Sequence, residues 1–336
     1  MFRLLITLLS LAMLSACHAP HEPNQFSASG NTPTIVLSDS SVIAHPVGYD
    51  FPGADTFSVL SWNVEHFVDP YDNPYINNRR EDNPAANMPE RVRLLIAAIK
   101  KADADVVVLQ EFESESYLMT LARDSFPELG YQFFSDAASP DWYMNVVLMS
   151  RFPLGTLQAY GDVTTPVTGF LDEEGKRQTQ NHLNTRMWTL QIFPARDYHF
   201  WLTGVHLKAG RGPRNEAMRS GQIHWLNQQY EILTQLNPQV NLMMAGDFNA
   251  YPTSPELTLL TDSTQTVYHI DPMDTTIMTH PADQPQRRLD YMLVNPEMAR
   301  EMVPGSVSPV YFFSPDSMRQ LSDHLPVMGR FFRKDQ

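Results

Sequence analysis

Short apolar segments alternate with amphipathic segments along the chain from about residue 57 to residue 332. Phe57–Trp62 and Asp105–Leu109 are short and rich in β-branched or aromatic residues, which predicts buried strands. Arg91–Lys101 has apolar residues at the three- and four-residue spacing of a helix, and Pro70–Pro89 between them is polar and predicts a loop. Further helices are predicted at 117–123 and 215–236, and further strands at 131–135, 145–150, 187–193, 200–205, 240–245, 289–294 and 326–332.

These predicted strands outnumber the helices, and several connections are too short for a crossover. A mixed or antiparallel sheet architecture covered by helices is therefore expected, in the α/β (α+β) class. Residues 55–333 contain no internal repeat and no compositional break, so a single catalytic domain is expected there. Residues 18–54 are rich in Pro, Ser and Asn, which predicts a tether before that domain.

Polar residues stand at the ends of the predicted strands. Those that follow an apolar run are Asn63, Glu111, His206 and Asp247, and those that precede one are Asp290, Asp323 and His324. If the last strands run antiparallel to the others, all of these residues reach one edge of the sheets. Because rigid strand ends fix side-chain geometry, this placement favours an enzyme over a binding module.

Glu111 ends a buried strand, where a carboxylate is unfavourable unless it is paired or bound to metal. It is a candidate ligand for a hard divalent cation, with a helix-start acid or an ion-pair partner as the alternative. Asn63 can add a neutral oxygen ligand, although a turn-capping Asn is the ordinary alternative. Glu65 is equally compatible with a supporting role and with a surface acid. The chain contains no HxxxH or HxxEH spacing, which argues against a histidine-rich zinc site.

The segment Gly-Asp-Phe-Asn-Ala (246–250) follows an apolar strand. Asp247 is a candidate for orienting an attacking water, and Asn249 for donating a hydrogen bond to a phosphate oxygen. The alternative is an Asx-turn with a structural Asn. The glycine permits close approach of the backbone at this turn, which favours the first interpretation.

Two histidines suit phosphodiester cleavage, which requires an activated nucleophile and a stabilised leaving group. His206 and His324 are the candidates, and Asp290 is a candidate for holding one imidazole in its tautomer. For most of the eleven histidines the ordinary interpretation is a core or surface residue; His45, His182, His199, His224, His269 and His280 belong to this group.

The net charge of −14 argues against a strong basic footprint for nucleic acid. A nucleic-acid substrate remains compatible with it, because bound cations offset phosphate charge locally. Lys208, Arg211, Arg214 and Arg219 form a local basic cluster after His206. This cluster is equally compatible with attraction of a phosphate and with solvated charges at the start of a helix, and the same alternatives apply to Arg287-Arg288.

The first residues are typical of an export signal, with Arg3 followed by the apolar stretch Leu4–Leu14, which is too short to span a bilayer. The stretch ends in Leu-Ser-Ala-Cys at 14–17, which resembles the lipobox of bacterial lipoproteins. Residues 1–17 are thus predicted to be a lipoprotein signal with lipidation at Cys17, or otherwise an ordinary signal peptide. Cys17 is the only cysteine, so no intramolecular disulfide is expected. A lipid anchor implies the cell envelope, and His18 favours the outer membrane where there is one.

Seven segments resemble, in order, the endonuclease/exonuclease/phosphatase superfamily, which includes deoxyribonucleases and neutral sphingomyelinases. They are Ser-Trp-Asn-Val-Glu (61–65), Val-Val-Leu-Gln-Glu (107–111), Leu-Met-Ser-Arg-Phe-Pro-Leu (148–154), Gly-Val-His-Leu (204–207), Gly-Asp-Phe-Asn-Ala (246–250), Arg-Leu-Asp-Tyr (288–291) and Ser-Asp-His-Leu-Pro-Val (322–327). The resemblance implies a four-layer sandwich of two packed mixed sheets flanked by helices.

The resemblance also implies roles for these residues in a metal-dependent phosphodiesterase. Mg²⁺ or Mn²⁺ would bind near Glu111 with Asn63 and Asp323 adjacent, and Ca²⁺ is an alternative as a structural ion. His206 and His324 would form the acid/base pair, with Asp290 orienting His324 and Asp247 and Asn249 contacting water and phosphate. Asn145 replaces the Glu of deoxyribonuclease-like members and is more typical of sphingomyelinase-type members.

Asn145 and Arg211 are the weaker candidates for contacting the substrate phosphate. Nucleic acid is the first expected substrate. Phospholipid head groups or small phosphate esters remain the alternative, because specificity depends on loops that carry no recognisable motif. No obligate protein partner is evident in the sequence.

Overall fold

The computed structural model describes residues 48–139, 141–161 and 163–334. The strands within them are β1 (Thr56–Phe67), β2 (Val106–Phe112), β3 (Phe133–Asp136), β4 (Asn145–Ser150), β5 (Leu154–Gln158), β6 (Thr165–Leu171), β7 (Arg177–Gln180), β8 (Met187–Ala195), β9 (Tyr198–His206), β10 (Leu242–Asp247), β11 (Asp290–Val294), β12 (Ser308–Pro309) and β13 (Val327–Phe332). The helices are α1 (Arg79–Asp82), α2 (Met88–Ala102), α3 (Glu115–Ser125), α4 (Pro213–Leu236), α5 (Pro255–Thr261), α6 (Pro296–Glu301) and α7 (Pro315–Leu321).

Two large mixed sheets pack face to face. The first has the order β12-β13-β1-β2-β4-β3 and the second β11-β10-β9-β8-β5, while β6 and β7 form a separate hairpin. Alternation along the strands separates the layers: Phe57 and Val59 of β1 face the space between the sheets, whereas Leu60 and Trp62 face the helices. The expected four-layer sandwich is confirmed.

Helices cover the outer face of each sheet. Leu95 of α2, Leu118 of α3 and Met318 of α7 pack on the first sheet. Leu226 of α4 and Leu257 of α5 pack on the second. Each of these side chains is almost completely buried, so the amphipathic faces of these helices provide the outer two layers of the core.

The condition on which the polar residues would share one edge is met, because the last long strand of each sheet runs antiparallel to its neighbour. β13 pairs antiparallel with β1, and β11 pairs antiparallel with β10. β1 with β2 and β9 with β10 are instead parallel pairs. The residues before β11 and β13 therefore lie beside those at the ends of the parallel strands, which assembles the polar clusters at one edge.

The strands and helices predicted from apolar periodicity all form, with bounds shifted by a few residues. The elements without a strong pattern were missed: β5, β6, β7, β12 and α1, α5, α6 and α7. Helix α1 interrupts the predicted loop, and α2 begins inside it at Met88. Strand β6 was missed because most of its side chains are exposed or half-buried, so it lacks a clear period.

The predicted signal, the lipidation candidate Cys17 and residues 18–47 of the tether lie outside the described residues. The end of the predicted tether packs on the domain: the Tyr49 hydroxyl donates to the carbonyl of Arg151 at 2.9 Å, and its ring meets Phe133 edge to face. The folded part thus extends at least to Tyr49. No helix among the described residues is long and apolar enough to cross a membrane.

Candidate active site

Backbone irregularities mark the edge where the polar clusters meet. The register of β1 shifts between Asn63 and Phe67, and that of β2 shifts between Gln110 and Phe112. Such bulges re-aim side chains at the end of a strand. Six non-glycine residues of the described part have positive φ, and four of them are at this edge: Glu65 (49°), His66 (48°), Glu111 (57°) and Asn249 (51°). This conformation is unfavourable for side-chain-bearing residues, and it concentrates where function constrains the backbone.

Asn63 and Glu111 meet at the ends of the parallel strands β1 and β2. The Asn63 amide donates to Glu111 Oε1 at 3.2 Å and to Asp247 Oδ2 at 3.0 Å, and its Oδ1 accepts from the Glu65 backbone N–H at 3.0 Å. His206 Nε2 lies 3.5 Å from Glu111 Oε1. Burial acts to raise the pKa of Glu111, but His206, His66 and the Asn63 amide outweigh it, so its pKa lies below the usual value.

Asp247 is the buried centre of the edge, with two imidazoles close to one of its oxygens. His206 Nε2 lies 3.9 Å and His324 Nε2 lies 3.8 Å from Asp247 Oδ2. Burial raises the pKa of Asp247 despite the attraction of His324. Burial lowers the pKa of His206 although Glu111 and Asp247 favour its charged form. The surroundings thus favour a neutral His206.

His324 is held by Asp290. Its Nδ1 lies 2.8 and 3.0 Å from the two Asp290 oxygens, and Thr279 Oγ1 donates to Asp290 Oδ2 at 2.6 Å. Burial opposes the charge on His324, but Asp290 and Asp247 outweigh it and raise the pKa of His324 to about 10. Since Asp290 accepts from Nδ1, the Nε2 side is presented to Asp247. The two histidines are therefore driven to opposite protonation states, as in an acid/base pair.

The register of the second sheet places these groups together. Asp247 pairs with His206 on β9 and with Asp290 on β11. The preceding Gly246 has a φ of +149°, and a Cβ there would lie 1.9 Å from the Val205 carbonyl oxygen. Only glycine permits this approach. Asn249 then bends back, so that its backbone N–H donates to Asp247 Oδ1 at 2.8 Å and its amide to Leu207 O and Asp247 Oδ2 at 3.2 Å.

The structure adds a third histidine that the sequence analysis had assigned to the ordinary group. His280 Nε2 lies 3.2 Å from Asp323 Oδ2, and Arg287 Nη2 lies 2.8 Å from His280 Nδ1. Arginine only donates, so Nδ1 is the acceptor and Nε2 carries the proton toward Asp323. The His280 ring also packs edge to face on His324 at 4.8 Å. Because this contact depends on a hairpin that lacks a strand pattern, no sequence signal identified it.

A second group around the edge involves Glu65 and His66. Glu65 Oε2 accepts from Arg319 at 2.9 Å and from the Asp323 backbone N–H at 3.2 Å, so it supports the segment that carries Asp323. The His66 backbone N–H donates to Glu111 Oε2 at 3.0 Å, and its ring contacts Tyr143 and Arg80. His66 was not a sequence candidate, because its position depends on the bulge in β1.

Three further candidates from the sequence, Asn145, Arg211 and Arg219, have different surroundings in the structure. Asn145 is buried, and its amide donates to the Glu113 and Trp142 carbonyls at 2.6 and 3.3 Å, so its donors are engaged by the backbone and it connects strand ends. Arg219 is buried and ion-paired with Glu256 at 2.7 Å, which removes it from the basic cluster. Arg211 lines a cavity of about 320 Å³ together with Asn249 and Arg287.

The residues at this edge fit a hard divalent cation. Glu111 contacts no Lys or Arg side chain among the described residues, and its partners are imidazoles and an amide. Asp323 keeps one oxygen for a further ligand when the other accepts from His280. Burial opposes the charge of Asp323, but His280 and His324 outweigh it and lower its pKa to about 2. Carboxylate oxygens of this kind suit Mg²⁺, Mn²⁺ or Ca²⁺.

Two packed mixed sheets flanked by helices, with acidic residues and histidines gathered at one edge, have the architecture of endonuclease/exonuclease/phosphatase proteins. Residues 60–324 match the model of the endonuclease/exonuclease/phosphatase family, and the chain belongs to that family. Members of the family depend on divalent metal and hydrolyse phosphoester bonds. The expectation from the seven segments is confirmed at this level. A comparison with curated protein sequences gave no match.

Solved structures with the same fold share little sequence with the chain. The human Nocturnin catalytic domain with a bound sulfate anion is 21% identical over 83% of this chain and 95% of its own, with a TM-score of 0.54. TDP2 of D. rerio complexed with single-strand DNA product is 16% identical over 83% and 99%, with a TM-score of 0.53. A family member from Bacteroides vulgatus is 15% identical over 83% and 99%, with a TM-score of 0.54.

Proposed function

We propose that the protein is a divalent-metal-dependent phosphodiesterase that cleaves nucleic acid at the cell envelope. The observation that carries the proposal is the buried Asp247 carboxylate, which has a neutral-favouring His206 and a charge-favouring His324 within 4 Å of one oxygen. A phosphodiester needs one group to position or deprotonate water and another to stabilise developing negative charge. This arrangement supplies both.

The residues divide the work as follows. Asp247, fixed by Asn63 and Asn249, orients the attacking water and accepts its proton. His324, held by Asp290, donates to the phosphoryl oxygens as they gain charge, and His206 exchanges a proton with the attacking or leaving oxygen. Glu111 would hold the divalent cation, with Asp323 and Asn63 as further candidate ligands, and the bound ion would supply charge neutralisation at the phosphate.

Arginines at the rim support a substrate with several phosphates. Arg79, Arg80 and Arg319 line a cavity of about 760 Å³ that also includes His66. Arg211 and Arg287 line the smaller cavity beside Asn249. Both cavities border the catalytic residues, because His66 contacts Glu111 and Asn249 contacts Asp247. A chain of phosphates can engage both, whereas a small ester would engage one.

The proposed location rests on the amino-terminal sequence. The apolar stretch Leu4–Leu14 and the single Cys17 in a lipobox-like context support export and lipid attachment. Anchorage would concentrate the enzyme where extracellular or periplasmic nucleic acid is available.

A second candidate substrate is the phospholipid head group. An apolar groove of about 930 Å³ lies beside Tyr71, Met88 and Tyr117. Tyr71 and Tyr75 in the neighbouring loop are 76% and 81% exposed. Exposed aromatic residues of this kind favour contact with a lipid surface, and a lipid anchor would hold them near one.

A substrate panel separates these candidates. The purified chain without residues 1–17 is incubated with plasmid, single-stranded DNA, RNA and phospholipid vesicles, in Mg²⁺ or Mn²⁺ and with chelator. We expect metal-dependent cleavage of nucleic acid that stops with chelator, and a loss of about 10²–10⁴-fold in kcat for Asp247→Asn and for His324→Gln.

The matched control is His224→Gln, since His224 is exposed on α4 and its ring contacts the Ser220 carbonyl of the same helix. It should retain full activity. Release of phosphorylated head groups without nucleic-acid cleavage would replace the first candidate by the second. Full activity of Asp247→Asn would disprove the assigned site.

A further inference from the structure

An acidic loop follows the strand that carries Asn63. It runs from the end of β1 at Phe67 to the start of α2 at Met88 and contains α1. Carboxylate oxygens of Asp72, Glu81 and Asp82 all lie within 4.8 Å of one another. None of the three is ion-paired with Lys or Arg among the described residues. Like charges at this spacing repel each other unless something positive lies between them.

Glu81 provides a second, separate observation. It is only 1% exposed, its Oε1 accepts from the Asn73 backbone N–H at 2.8 Å, and its Oε2 is buried without a hydrogen-bond donor in the described part of the chain. Burial raises the pKa of Glu81, and Asp72, Asp82 and Asp69 raise it further. A buried carboxylate oxygen without a donor is unfavourable. The hydrogen bond from the Asn73 backbone N–H does not require the charge of Glu81, because the side-chain oxygen of a glutamine would accept it equally well.

We propose that Asp72, Glu81 and Asp82 form a binding site for a hard divalent cation, distinct from the catalytic one. Two oxygens that each bind Ca²⁺ at about 2.4 Å are at most about 4.8 Å apart, and the three carboxylate oxygens lie within that limit of one another. Asp72 and Asp82 are exposed, so water can complete the six to eight oxygen ligands that Ca²⁺ takes. Mg²⁺ demands a stricter octahedron, so three carboxylates with water completing the ligand set suit Ca²⁺ better.

The cation would fix the loop that carries two arginines of the cavity beside His66. Glu81 and Asp82 belong to the same helical turn, α1, as Arg79 and Arg80. These arginines line the cavity of about 760 Å³ beside His66, and Arg80 contacts the His66 ring. Binding at one side of α1 therefore holds the arginines on the other.

Calcium titration calorimetry on the chain without residues 1–17 tests the site. Glu111→Gln is used as the background, so that binding at the catalytic centre is suppressed. We expect one Ca²⁺ to remain bound in the Glu111→Gln variant. When Asp72→Asn and Glu81→Gln are added to that variant, its affinity for Ca²⁺ should fall by at least about tenfold, because affinity follows the number of charged ligands. The matched control adds Glu231→Gln, an exposed acid on α4, and should leave binding unchanged.

Proteolysis provides a measurement that needs no variant. Arg79 and Arg80 are exposed and are cleavage positions for trypsin. At free Ca²⁺ about ten times its dissociation constant, cleavage at these positions should slow by about tenfold, because the open loop does not bind the ion. Unchanged cleavage in saturating Ca²⁺, or equal Ca²⁺ affinity in the Asp72→Asn, Glu81→Gln variant, would overturn the proposal. Loss of nuclease activity alone bears on the catalytic centre and not on this site.

Discussion

His269 is a buried imidazole that takes no part in the catalytic cluster. It is 1% exposed, its ring centroid lies 5.1 Å from that of Tyr230 in a tilted arrangement, and neither ring nitrogen has a hydrogen-bond partner among the described residues. Burial lowers its pKa to about 3. The unfolded chain binds a proton here below about pH 6.5, whereas the folded chain does so only near pH 3. Stability is therefore fully present above pH 6.5 and falls as the pH drops toward 3.

Replacing His269 by Phe should remove this acid sensitivity while keeping the ring. Between pH 7 and pH 5 the wild type should lose about 2 kcal/mol of unfolding free energy through this group, and His269→Phe should not. Urea unfolding at the two pH values measures the difference. His224→Gln, at an exposed histidine, serves as the control and should follow the wild type. An equal pH dependence in His269→Phe would show that another group titrates.

At the residue scale, the sequence identified the groups that stand directly at strand ends. Glu111, His206, Asp247 and Asp290 come together because strand pairing dictates it. The sequence did not predict that His280 and His66 lie at this site. One is placed by a hairpin in which its backbone pairs with Arg287, and the other by the bulge in β1. Neither feature has a periodic pattern, so neither position could be anticipated.

Helix α4 illustrates contact at the element scale. Gly221 lies in its middle, and a Cβ there would lie 2.0 Å from the Pro166 carbonyl oxygen of β6. The glycine lets the helix approach the backbone of the β6–β7 hairpin. A Gly inside a helix would otherwise be unfavourable by about 1 kcal/mol relative to Ala.

Gly221→Ala should therefore destabilise the protein, although alanine is the better helix former. We expect a loss of about 1–3 kcal/mol from overpacking, measured as unfolding free energy in urea. Gln228→Ala on the exposed face of the same helix is the control and should be neutral or slightly stabilising. A stabilised Gly221→Ala protein would mean that the hairpin does not press on α4.

The strength of the apolar pattern in each element explains which elements the sequence predicted. Long buried strands such as β2 and β9 and the amphipathic α2 carry strong patterns and were found. The β6–β7 hairpin and the helices of six or seven residues after β10 were missed. They gain their stability from packing against neighbours rather than from their own periodicity.

At the scale of the whole molecule, the residues before β1 make contacts that should contribute to the free energy of unfolding. The side chain of Arg333 donates to Pro52 O, and its backbone N–H donates to Asp55 O at 3.0 Å, while Tyr49 contacts Phe133 and Arg151. These contacts connect residues before β1 to β3, to the residue after β4 and to the residue after β13.

A chain that starts at Gly48 should keep the stability of the longer protein, and one that starts at Thr56 should lose about 1–3 kcal/mol, because it removes aromatic packing and hydrogen bonds. Urea unfolding of the two chains gives the difference. Tyr49→Ala in the longer chain separates the ring from the rest of the segment. Equal stability of both chains would place the boundary at β1, where the sequence had put it.

The pairing of β1 with β13 places Thr56 opposite Phe332. Asn63 is synthesised well before His324 and the strand β13 that follows it. Domains fold as units once their parts are available, and this one is not complete until β13 has been synthesised. A nascent or translocating chain therefore carries no assembled set of acid and base groups. For an enzyme that leaves the cell interior, as proposed, the order of synthesis itself protects the nucleic acid of the cell that makes it.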